Sequence, residues 1–239
     1  IPELKLLISP PENNIDLYPF IYETLDLLGI NKQDLILLDK NTKYKTIIVG
    51  SSLTHNRMSL EAPHKSVFDI VGGMKGLDSS VDRIYISRRT WTQQKNKNIG
   101  TDYTQERRCV NEDEVMTLAK KHGFKEIFCE NYSMEEKIGL FRNAKIVMGP
   151  IGGGLSNVLF CKPETKVISL NSPEFFPINE RLKYALNHTS LQMFNETKFV
   201  DRKKDVITHN NALSISGGMN SPWKVDLTKL EYELTNIDK

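Results

Sequence analysis

The stretch Asn143–Leu170, NAKIVMGPIGGGLSNVLFCKPETKVISL, decides the fold of this chain. It begins with a short apolar run, Lys145–Met148, passes through a glycine-rich turn, Gly149–Gly154, and returns to a second apolar run, Lys166–Leu170. Two short apolar runs that flank a turn and a helix start at Leu155 are typical of a strand–turn–helix–strand unit. The stretch therefore predicts two buried strands with a helix between them.

The glycine-rich turn has the composition of an anion site. A strand that ends on glycines and continues as a helix presents backbone N–H groups at the positive end of the helix dipole, which favours phosphate. Glycine has no Cβ, so the backbone can approach a ligand closely. The turn has neither the third glycine of the dinucleotide fingerprint nor the Gly-Lys-Ser/Thr ending of a P-loop. Two interpretations stay open: a phosphate site, or a tight turn in which glycine serves only packing.

The composition restricts the class of protein. The chain has 239 residues, a formal net charge of +2 and 26% charged residues, which gives no indication of a nucleic-acid partner. No apolar run reaches the roughly 18 residues of a membrane span, and no signal peptide is visible. Cys109, Cys129 and Cys161 are too widely spaced for a disulfide framework or a zinc site. We predict a cytoplasmic protein and, since the chain opens on Ile1 almost directly at a strand, a fragment that lacks an N-terminal part.

Other segments show the periodicity of strands and helices. Strands are predicted at Leu4–Ile8, Leu35–Leu38, Thr46–Val49, Arg83–Ser87, Lys125–Cys129 and Leu191–Phe194. Helices are predicted at Tyr18–Leu28, at His64–Val71, between Asn111 and Gly123, after Ser133, around Asn179–Leu186, and after a cap at Asp226 or Thr228. Asn111 with Glu114, and Ser133 with Glu136, have the spacing of capping boxes. Strands that alternate with helices predict an α/β fold with a parallel sheet.

Arginines gather at the same predicted edge of the sheet as the glycine-rich turn. Arg88 and Arg89 end a predicted strand, and Arg107 and Arg108 end the long polar loop that follows it. Ligands of parallel sheets bind beyond the carboxyl ends of the strands, and arginine binds diphosphates through bidentate N–H contacts. The shared edge predicts an anion site, while the alternative for each arginine is a surface ion pair.

Candidate bases and metal ligands are few. The chain has no HExxH, CxxC, G-x-S-x-G or close Asp-x-Asp pattern, which argues against zinc hydrolases, serine hydrolases and glycosyltransferases that hold their donor through a metal. Of five histidines, His55 and His64 lie in the loop-rich N-terminal part and are candidates for a general base. Glu112 stands among three acidic residues at a helix start, where the helix dipole alone explains its presence.

Several segments together resemble glycosyltransferase family 61. They are YISRR (Tyr85–Arg89), ERRCVNEDEV (Glu106–Val115), GF (Gly123-Phe124), the stretch Ser133–Phe160 and KVISL, with weaker likeness in Phe20–Ile30 and around Val225–Leu227. Members of that family carry an S-R strand end, an R-x-x-N-E helix start and a G-P-H-G-A-G-L-x-N loop. The individual motifs are short, but their order and spacing together are specific. The resemblance spans nearly the whole chain and is strongest from Tyr85 to Leu170.

The resemblance implies a GT-B-like α/β fold, in which two Rossmann-like domains enclose a nucleotide-sugar site. Residues 1–78 would form an incomplete acceptor-side domain, residues 79–222 the nucleotide-sugar-binding domain, and residues 223–239 a closing helix, with the boundary in the segment Gly72–Ser80. The implied activity is an inverting, metal-independent transfer of a hexose or pentose from a nucleotide sugar, UDP-linked, to a glycan acceptor. No cofactor besides the nucleotide sugar is expected. The expected role is capsular or surface polysaccharide biosynthesis, and the Lys- and Asn-rich composition, the short chain and the lack of a predicted membrane anchor indicate a microbe or virus as the source.

The resemblance also identifies candidate site residues. The positions that match family motifs are Arg88, Arg108, Asn111, Glu112, Gly149, Gly152, Gly154 and Asn157, and we add the adjacent Arg89 and Gly153 as donor-binding candidates. The arginines and loop amides would stabilise the leaving diphosphate, which a metal does in other transferases. The family's loop histidine is Ile151 here, its alanine is Gly153, and its upstream histidine–tryptophan segment precedes the first residue. The base candidates are therefore Asp16, His55 and His64.

Two other classes of protein compete with the transferase. A non-catalytic nucleotide-sugar or glycan-binding module, descended from such an enzyme, would account for the missing histidine segment. An unrelated Rossmann-like nucleotide-binding protein would share the strand–turn–helix pattern, but it is disfavoured by the absent dinucleotide fingerprint. The transferase and the non-catalytic module differ in whether sugar transfer or hydrolysis is observed, because nucleotide binding alone fits both.

Overall fold

The computed structural model describes residues 5–10, 15–39, 41–49, 54–55, 59–60, 70–89, 108–173, 191–200 and 222–238, with the backbone alone at 54–55 and 59–60. The strands of these ranges are β1 (Leu6–Ile8), β2 (Leu35–Leu37), β3 (Thr54–His55), β4 (Ser59–Leu60), β5 (Arg83–Ile86), β6 (Lys125–Ile127), β7 (Ile146–Pro150), β8 (Lys166–Leu170), β9 (Leu191–Phe194), β10 (Thr197–Phe199) and β11 (Trp223–Val225). The α-helices described in full are α1 (Pro19–Leu27), α2 (Glu112–Lys121), α3 (Met134–Asn143) and α4 (Leu227–Asn236), and residues 70–73 are also helical.

A parallel sheet of five strands, in the order β6-β5-β7-β8-β9, forms the centre of the fold. Every neighbouring pair in it is parallel. All five residues of β7 are buried, and β8 is buried after its first residue, as expected for strands covered on both faces. The predicted α/β class with a parallel sheet is thereby confirmed, and the two-domain GT-B arrangement stays a prediction.

Helices cover both faces of this sheet. On one face, α2 and α4 pack against side chains that include Tyr85, Met148 and Ile168. On the other face, α3 and a short 3-10 helix pack against side chains that include Ile86 and Val147. Because successive residues of a strand point to opposite faces, Tyr85 and Ile86 enter different cores. Each fully buried side chain of this kind contributes about 1.5–3 kcal/mol of hydrophobic stabilisation.

Two predicted helix starts are confirmed by their side-chain bonds. At α3, the Ser133 hydroxyl accepts from the Glu136 N–H at 3.2 Å, and the Glu136 carboxylate accepts from the Ser133 N–H at 2.7 Å. At α4, the Asp226 carboxylate accepts from the Lys229 N–H at 3.2 Å. These side chains satisfy amides that have no partner inside their helices, which is why the chain turns into a helix at these points.

One predicted strand is wrong, and others fall outside the described ranges. Residues 46–49 form no strand, and Ile48 and Val49 are 68% and 83% exposed. An apolar run becomes a strand only when another strand pairs with it, and sequence periodicity does not report the partner. The predicted helix at Asn179–Leu186 lies outside the described residues, as does most of the one at His64–Val71.

The glycine-rich segment before β5, Gly72–Ser80, packs along α3. The Arg142 guanidinium donates to the carbonyl oxygens of Met74 at 2.7 Å and Val71 at 3.2 Å. The Leu77 N–H donates to the Glu135 carbonyl at 3.1 Å. The domain boundary drawn in this segment stays a prediction. In the ranges that the structure describes, no helix is both long enough and apolar enough to cross a membrane.

Candidate functional site

The strand order creates a topological switch point between β5 and β7. From β5 the chain crosses to β6 on one side, and it then returns past β5 to β7 on the other side. In open parallel sheets, ligands bind in the crevice outside the carboxyl ends of the strands at such a point. Arg88 follows β5, and the turn Gly149–Gly154 ends β7. Both predicted anion-binding elements therefore meet at this crevice.

The glycines of the turn serve two different purposes. A Cβ at Gly149 would lie 2.8 Å from Cβ of Ile86, and one at Gly154 would lie 2.9 Å from Cγ2 of the same residue. These two glycines are required for packing. Gly152 has a φ of 155°, and a Cβ at Gly153 would meet nothing within 4 Å. Gly153 therefore faces open space, while Gly152 lies against the Arg88 side chain. Packing accounts for Gly149 and Gly154, and the phosphate interpretation of the middle of the turn stays a prediction.

The helix predicted after the turn is a 3-10 helix of six residues, Leu155–Phe160. The N–H groups of residues 155, 156 and 157 donate to the carbonyls of residues 152, 153 and 154 at 3.0–3.3 Å. They are therefore occupied, and a helix this short supplies little dipole. Within the described residues, the N–H groups of residues 152, 153 and 154 have no backbone acceptor. The N–H groups without a backbone acceptor in the described residues therefore lie in the turn itself, not at the start of the helix at Leu155 as the sequence predicted.

Asn157 closes this turn from its far end. Its side-chain Nδ2 donates to the carbonyl of Gly154 at 2.9 Å, and it also approaches Sγ of Cys129 at 3.9 Å. The amide thus holds the turn in shape against the segment that follows β6. The structure gives this predicted donor-binding residue a supporting contact within the turn.

The guanidinium of Arg88 lies across the glycine-rich turn. Its Nη1 donates to the carbonyl of Ile151 at 3.2 Å, and a Cβ at Gly152 would lie 3.3 Å from that same nitrogen. Burial lowers the pKa of Arg88, and the nearby Glu112 carboxylate opposes this effect. Arginine stays protonated at neutral pH because its ordinary pKa is above about 12. A partly desolvated cation therefore lies against the glycine-rich turn at Ile151 and Gly152, an arrangement that favours a phosphate or diphosphate.

Ile151 occupies the position where the family carries a histidine. Its side chain is 3% exposed and packs into the core, while its N–H donates to the Leu170 carbonyl at 3.0 Å. Only its backbone carbonyl reaches the crevice, where it accepts from Arg88. The backbone of this turn therefore directs the side chain at this position away from the site.

Arg89 joins two elements of the fold through ion pairs, and its role as a donor-binding residue stays a prediction. Its Nε and Nη2 donate to the two carboxylate oxygens of Glu126 at 2.8 and 2.6 Å, and its Nη1 donates to Asp113 at 2.6 Å. These hydrogen bonds raise the pKa of Arg89. The side chain joins β6 to α2 and leaves Arg88 as the arginine directed at the turn. The ion pair that the sequence allowed as an alternative for each arginine is therefore present at Arg89.

Asn111 does not form the predicted capping box. It precedes α2, but its side chain makes no bond to the first turn of that helix. Its Oδ1 accepts from the Val225 N–H at 3.0 Å, and its Nδ2 donates to the Val225 carbonyl at 3.0 Å. Both the oxygen and the nitrogen of the side-chain amide are therefore bonded to Val225 of β11, so Asn111 attaches β11 to the start of α2.

Glu112 is the buried acid at the centre of this region. Its carboxylate is 6% exposed in the folded chain, and Oε1 accepts from the Arg88 N–H at 2.8 Å, the Tyr85 hydroxyl at 3.2 Å and the Ser87 hydroxyl at 3.4 Å. Burial raises the pKa of Glu112, although the bonds from Arg88 and Tyr85 act in the opposite direction. The carboxylate fixes the end of β5 to the start of α2, a function that the helix dipole did not predict.

The remaining predicted residues are placed less centrally. The Arg108 side chain is exposed, and its carbonyl accepts from the Trp223 N–H at 3.0 Å. Asp16 accepts from the Tyr22 hydroxyl and the Leu17 N–H. These bonds, that from Tyr22 first, lower the pKa of Asp16 and make it a weaker base. The side chain of His55 and all of His64 lie outside the described residues, and Arg107 does too.

A cluster of neutral polar groups, which the sequence patterns did not predict, lies at the carboxyl end of β8. Ser169 pairs in register with Gly149, and its hydroxyl donates to Oδ1 of Asn171 at 2.9 Å. Asn171 in turn donates to Asn195 at 2.9 Å. The Ser172 hydroxyl is buried and has no hydrogen-bond partner in the described part of the chain. The signal was the polar pair that directly follows the apolar run KVISL.

No group of three or more His, Cys, Asp or Glu side chains in the described ranges is arranged to hold a metal ion. The three cysteines are unpaired as disulfides. Burial raises the pKa values of Cys109 and Cys129 to about 12, so both are protonated thiols at neutral pH. They are small, partly or fully buried side chains of the core.

The stability of the protein is expected to depend on pH through Glu112. Its pKa is higher in the folded chain than in the unfolded chain, so between about pH 4.5 and the folded value the folded state holds more protons. Stability from this group is present below that range and is lost as the pH rises through it. The free energy of unfolding of wild type, relative to Glu112→Gln, should fall across this range in urea titrations at pH 4 to 8. A constant difference would contradict a raised pKa.

Residues 5–168 match the family Glycosyltransferase 61, which covers well over half of the chain. The match includes Arg88, Glu112 and the glycine-rich turn, and it excludes β9, β10, β11 and α4. A comparison with curated proteins gives no match. The match confirms the resemblance over residues 5–168 and supports glycosyltransferase activity, so it does not favour a non-catalytic module or an unrelated nucleotide-binding protein. With Arg88 and the glycine-rich turn at the switch point of a parallel sheet, this chain belongs to glycosyltransferase family 61.

Proposed function

We propose that the protein is an inverting, metal-independent glycosyltransferase that moves a hexose or pentose from a UDP-linked sugar to a hydroxyl of a glycan, in polysaccharide biosynthesis of the capsular type. The observation that carries this proposal is the guanidinium of Arg88, which lies across the glycine-rich turn at the switch point of the sheet. In a nucleotide sugar, the diphosphate is the group that a guanidinium and the backbone N–H groups of the turn would bind.

The reaction requires stabilisation of negative charge on the leaving group. The acceptor oxygen attacks the anomeric carbon, the bond from that carbon to the diphosphate oxygen breaks, and the acceptor proton passes to a base. Charge then develops on the diphosphate, where fixed N–H donors and a cation lower the barrier. Arg88 and the amides of residues 152–154 supply such donors. In this proposal they take the place of a divalent metal.

The polar cluster beyond β8 extends the same site away from the diphosphate. In this cluster Ser169 and Asn171 are hydrogen-bonded, and the Ser172 hydroxyl has no partner in the described residues, so Ser172 is the neutral group that could bind a sugar hydroxyl. The five-stranded sheet would be the donor domain of a GT-B arrangement, and α1 with β1 and β2 would belong to the acceptor side. The base candidates are Asp16, His55 and His64, as the sequence predicts.

Nucleotide binding is testable by thermal unfolding in the presence of EDTA. UDP, GDP, CMP and their sugar conjugates are compared, and we expect one nucleotide class to raise the midpoint by several degrees. A ligand at a hundred times its dissociation constant adds about 2.7 kcal/mol to the folded state, and about 2–4 °C accompanies each kcal/mol in a chain of this size. Uridine, which lacks phosphate, is the control and should give no shift.

Two outcomes of this screen would contradict the proposal. The absence of a shift with every nucleotide would mean that the glycine-rich turn does not bind a diphosphate. A shift that appears only when EDTA is replaced by manganese would contradict the metal-independent mechanism. A shift with one class in EDTA would define the donor and justify transfer assays with glycan acceptors.

A further inference from the structure

The C-terminal strand β11 is attached to the chain just before α2. The Val110 N–H donates to the Trp223 carbonyl at 2.8 Å, and the Trp223 N–H donates to the Arg108 carbonyl at 3.0 Å. The Asn111 side chain continues this ladder, because its amide pairs with the N–H and the carbonyl of Val225. A side chain here takes the place of a backbone partner. β11 lies outside residues 5–168, the range that matches the family.

A continuous path of contacts leads from this ladder to the candidate site. Asn111 immediately precedes Glu112, the first residue of α2. The Glu112 carboxylate accepts the Arg88 N–H at 2.8 Å, and the Arg88 guanidinium donates to the Ile151 carbonyl at 3.2 Å. β11 therefore contacts Asn111, Asn111 fixes the position of Glu112, and Glu112 holds the backbone from which Arg88 extends.

We infer that Asn111 is a positioning residue, through which β11 holds Arg88 in place across the glycine-rich turn. The inference rests on the proposed function, in which Arg88 binds the diphosphate of a nucleotide sugar. Asparagine suits this task because its side chain carries one donor group and one acceptor, which match the two backbone groups of Val225. Aspartate would present a second acceptor to the Val225 carbonyl and would repel it. Val225 is 3% exposed, so water does not replace the lost partner.

The first test needs no ligand. Amide hydrogen exchange is measured in wild type and in Asn111→Asp, and we expect the Arg88 amide to exchange at least tenfold faster in the variant. The Ser87 amide, which donates to the Ile127 carbonyl at 2.9 Å, is an internal control and should keep its protection. Asn236→Asp is the matched control variant, because the Asn236 amide donates to the Tyr232 carbonyl on the exposed side of α4. Unchanged exchange at Arg88 would overturn the inference.

The second test is a double-mutant cycle on UDP affinity, measured by calorimetry well below the unfolding midpoint. We expect Asn111→Asp to weaken UDP binding about tenfold in wild type and less than twofold in an Arg88→Ala background, because Asn111 acts through Arg88. Equal losses in both backgrounds would overturn the inference, since a general loss of stability does not depend on Arg88. If wild type does not bind UDP, the proposed function fails, and the exchange experiment still decides whether Asn111 positions Arg88.

Discussion

Replacing Arg88 with alanine is expected to weaken UDP binding at least tenfold. The guanidinium is the cation that lies across the glycine-rich turn, and its pKa is lowered by burial, so it is partly desolvated before a ligand arrives. A hydrogen bond to a charged group contributes about 1.5–3 kcal/mol, and about 1.4 kcal/mol corresponds to a factor of ten in affinity. Isothermal titration calorimetry of UDP measures the effect directly.

Arg83→Ala is the matched control for this experiment. Arg83 lies at the amino end of the same strand, where it pairs with Asp238 and donates to the His122 carbonyl. Its removal deletes the same charge at the opposite edge of the sheet, and UDP affinity should stay within twofold of wild type. Arg88→Lys keeps the charge but not the planar fork of donors, so an intermediate affinity is expected. Unchanged affinity in Arg88→Ala would exclude Arg88 from the site.

Gly139→Ala is expected to lower the free energy of unfolding by about 3 kcal/mol or more, at the upper end of what overpacking costs. A Cβ at Gly139 would lie 1.6 Å from the carbonyl oxygen of Leu77 and 2.7 Å from its carbon. The obstacle is backbone, so α3 and the segment before β5 must separate. The carbonyl contacts of Arg142 that hold this segment would then be strained. Urea unfolding monitored by circular dichroism measures the change.

Gly73, in the segment before β5, provides a control for Gly139→Ala. A Cβ at Gly73 would meet nothing within 4 Å, so Gly73→Ala should change the free energy of unfolding by no more than about 0.5 kcal/mol, as at other open surface positions. A similar loss in both variants would indicate a general effect of backbone stiffening. A stable Gly139→Ala protein would show that the segment before β5 does not pack along α3 in solution.

Sequence patterns predicted the elements whose determinants are local. The Ser133–Glu136 capping box and the cap at Asp226 were correct because donor and acceptor lie three residues apart. Asn111 with Glu114 has the same spacing as the first of these, yet Asn111 binds Val225 instead. The competing partner is 114 residues away, and no local pattern contains it. For the same reason Thr46–Val49, which is apolar but pairs with no strand in the described residues, was wrongly predicted as a strand.

For the candidate site, the rule that ligands bind beyond the carboxyl ends of parallel strands was more informative than the short motifs. It placed Arg88 and the glycine-rich turn together, and the structure confirms that they meet. It could not separate Arg88 from Arg89, because the ion pair that occupies Arg89 depends on Glu126, a residue of the neighbouring strand. The rule also could not show that the Glu112 side chain is buried. An acidic residue in the first turn of a helix interacts favourably with the helix dipole whether its side chain is exposed or buried.

The ladder between Asn111 and Val225 has a consequence for the order in which the protein matures. Arg88 and Ile151 are 63 residues apart, and Asn111 and Val225 are 114 residues apart. Contacts between residues so distant in sequence are costly in loop-closure entropy and form late. During synthesis the chain emerges from its N-terminal end, so residues 5–168, which match the family, leave the ribosome before β11 is available. If Asn111 positions Arg88 as we infer, the matched residues alone would leave Arg88 without that support until β11 has joined the ladder.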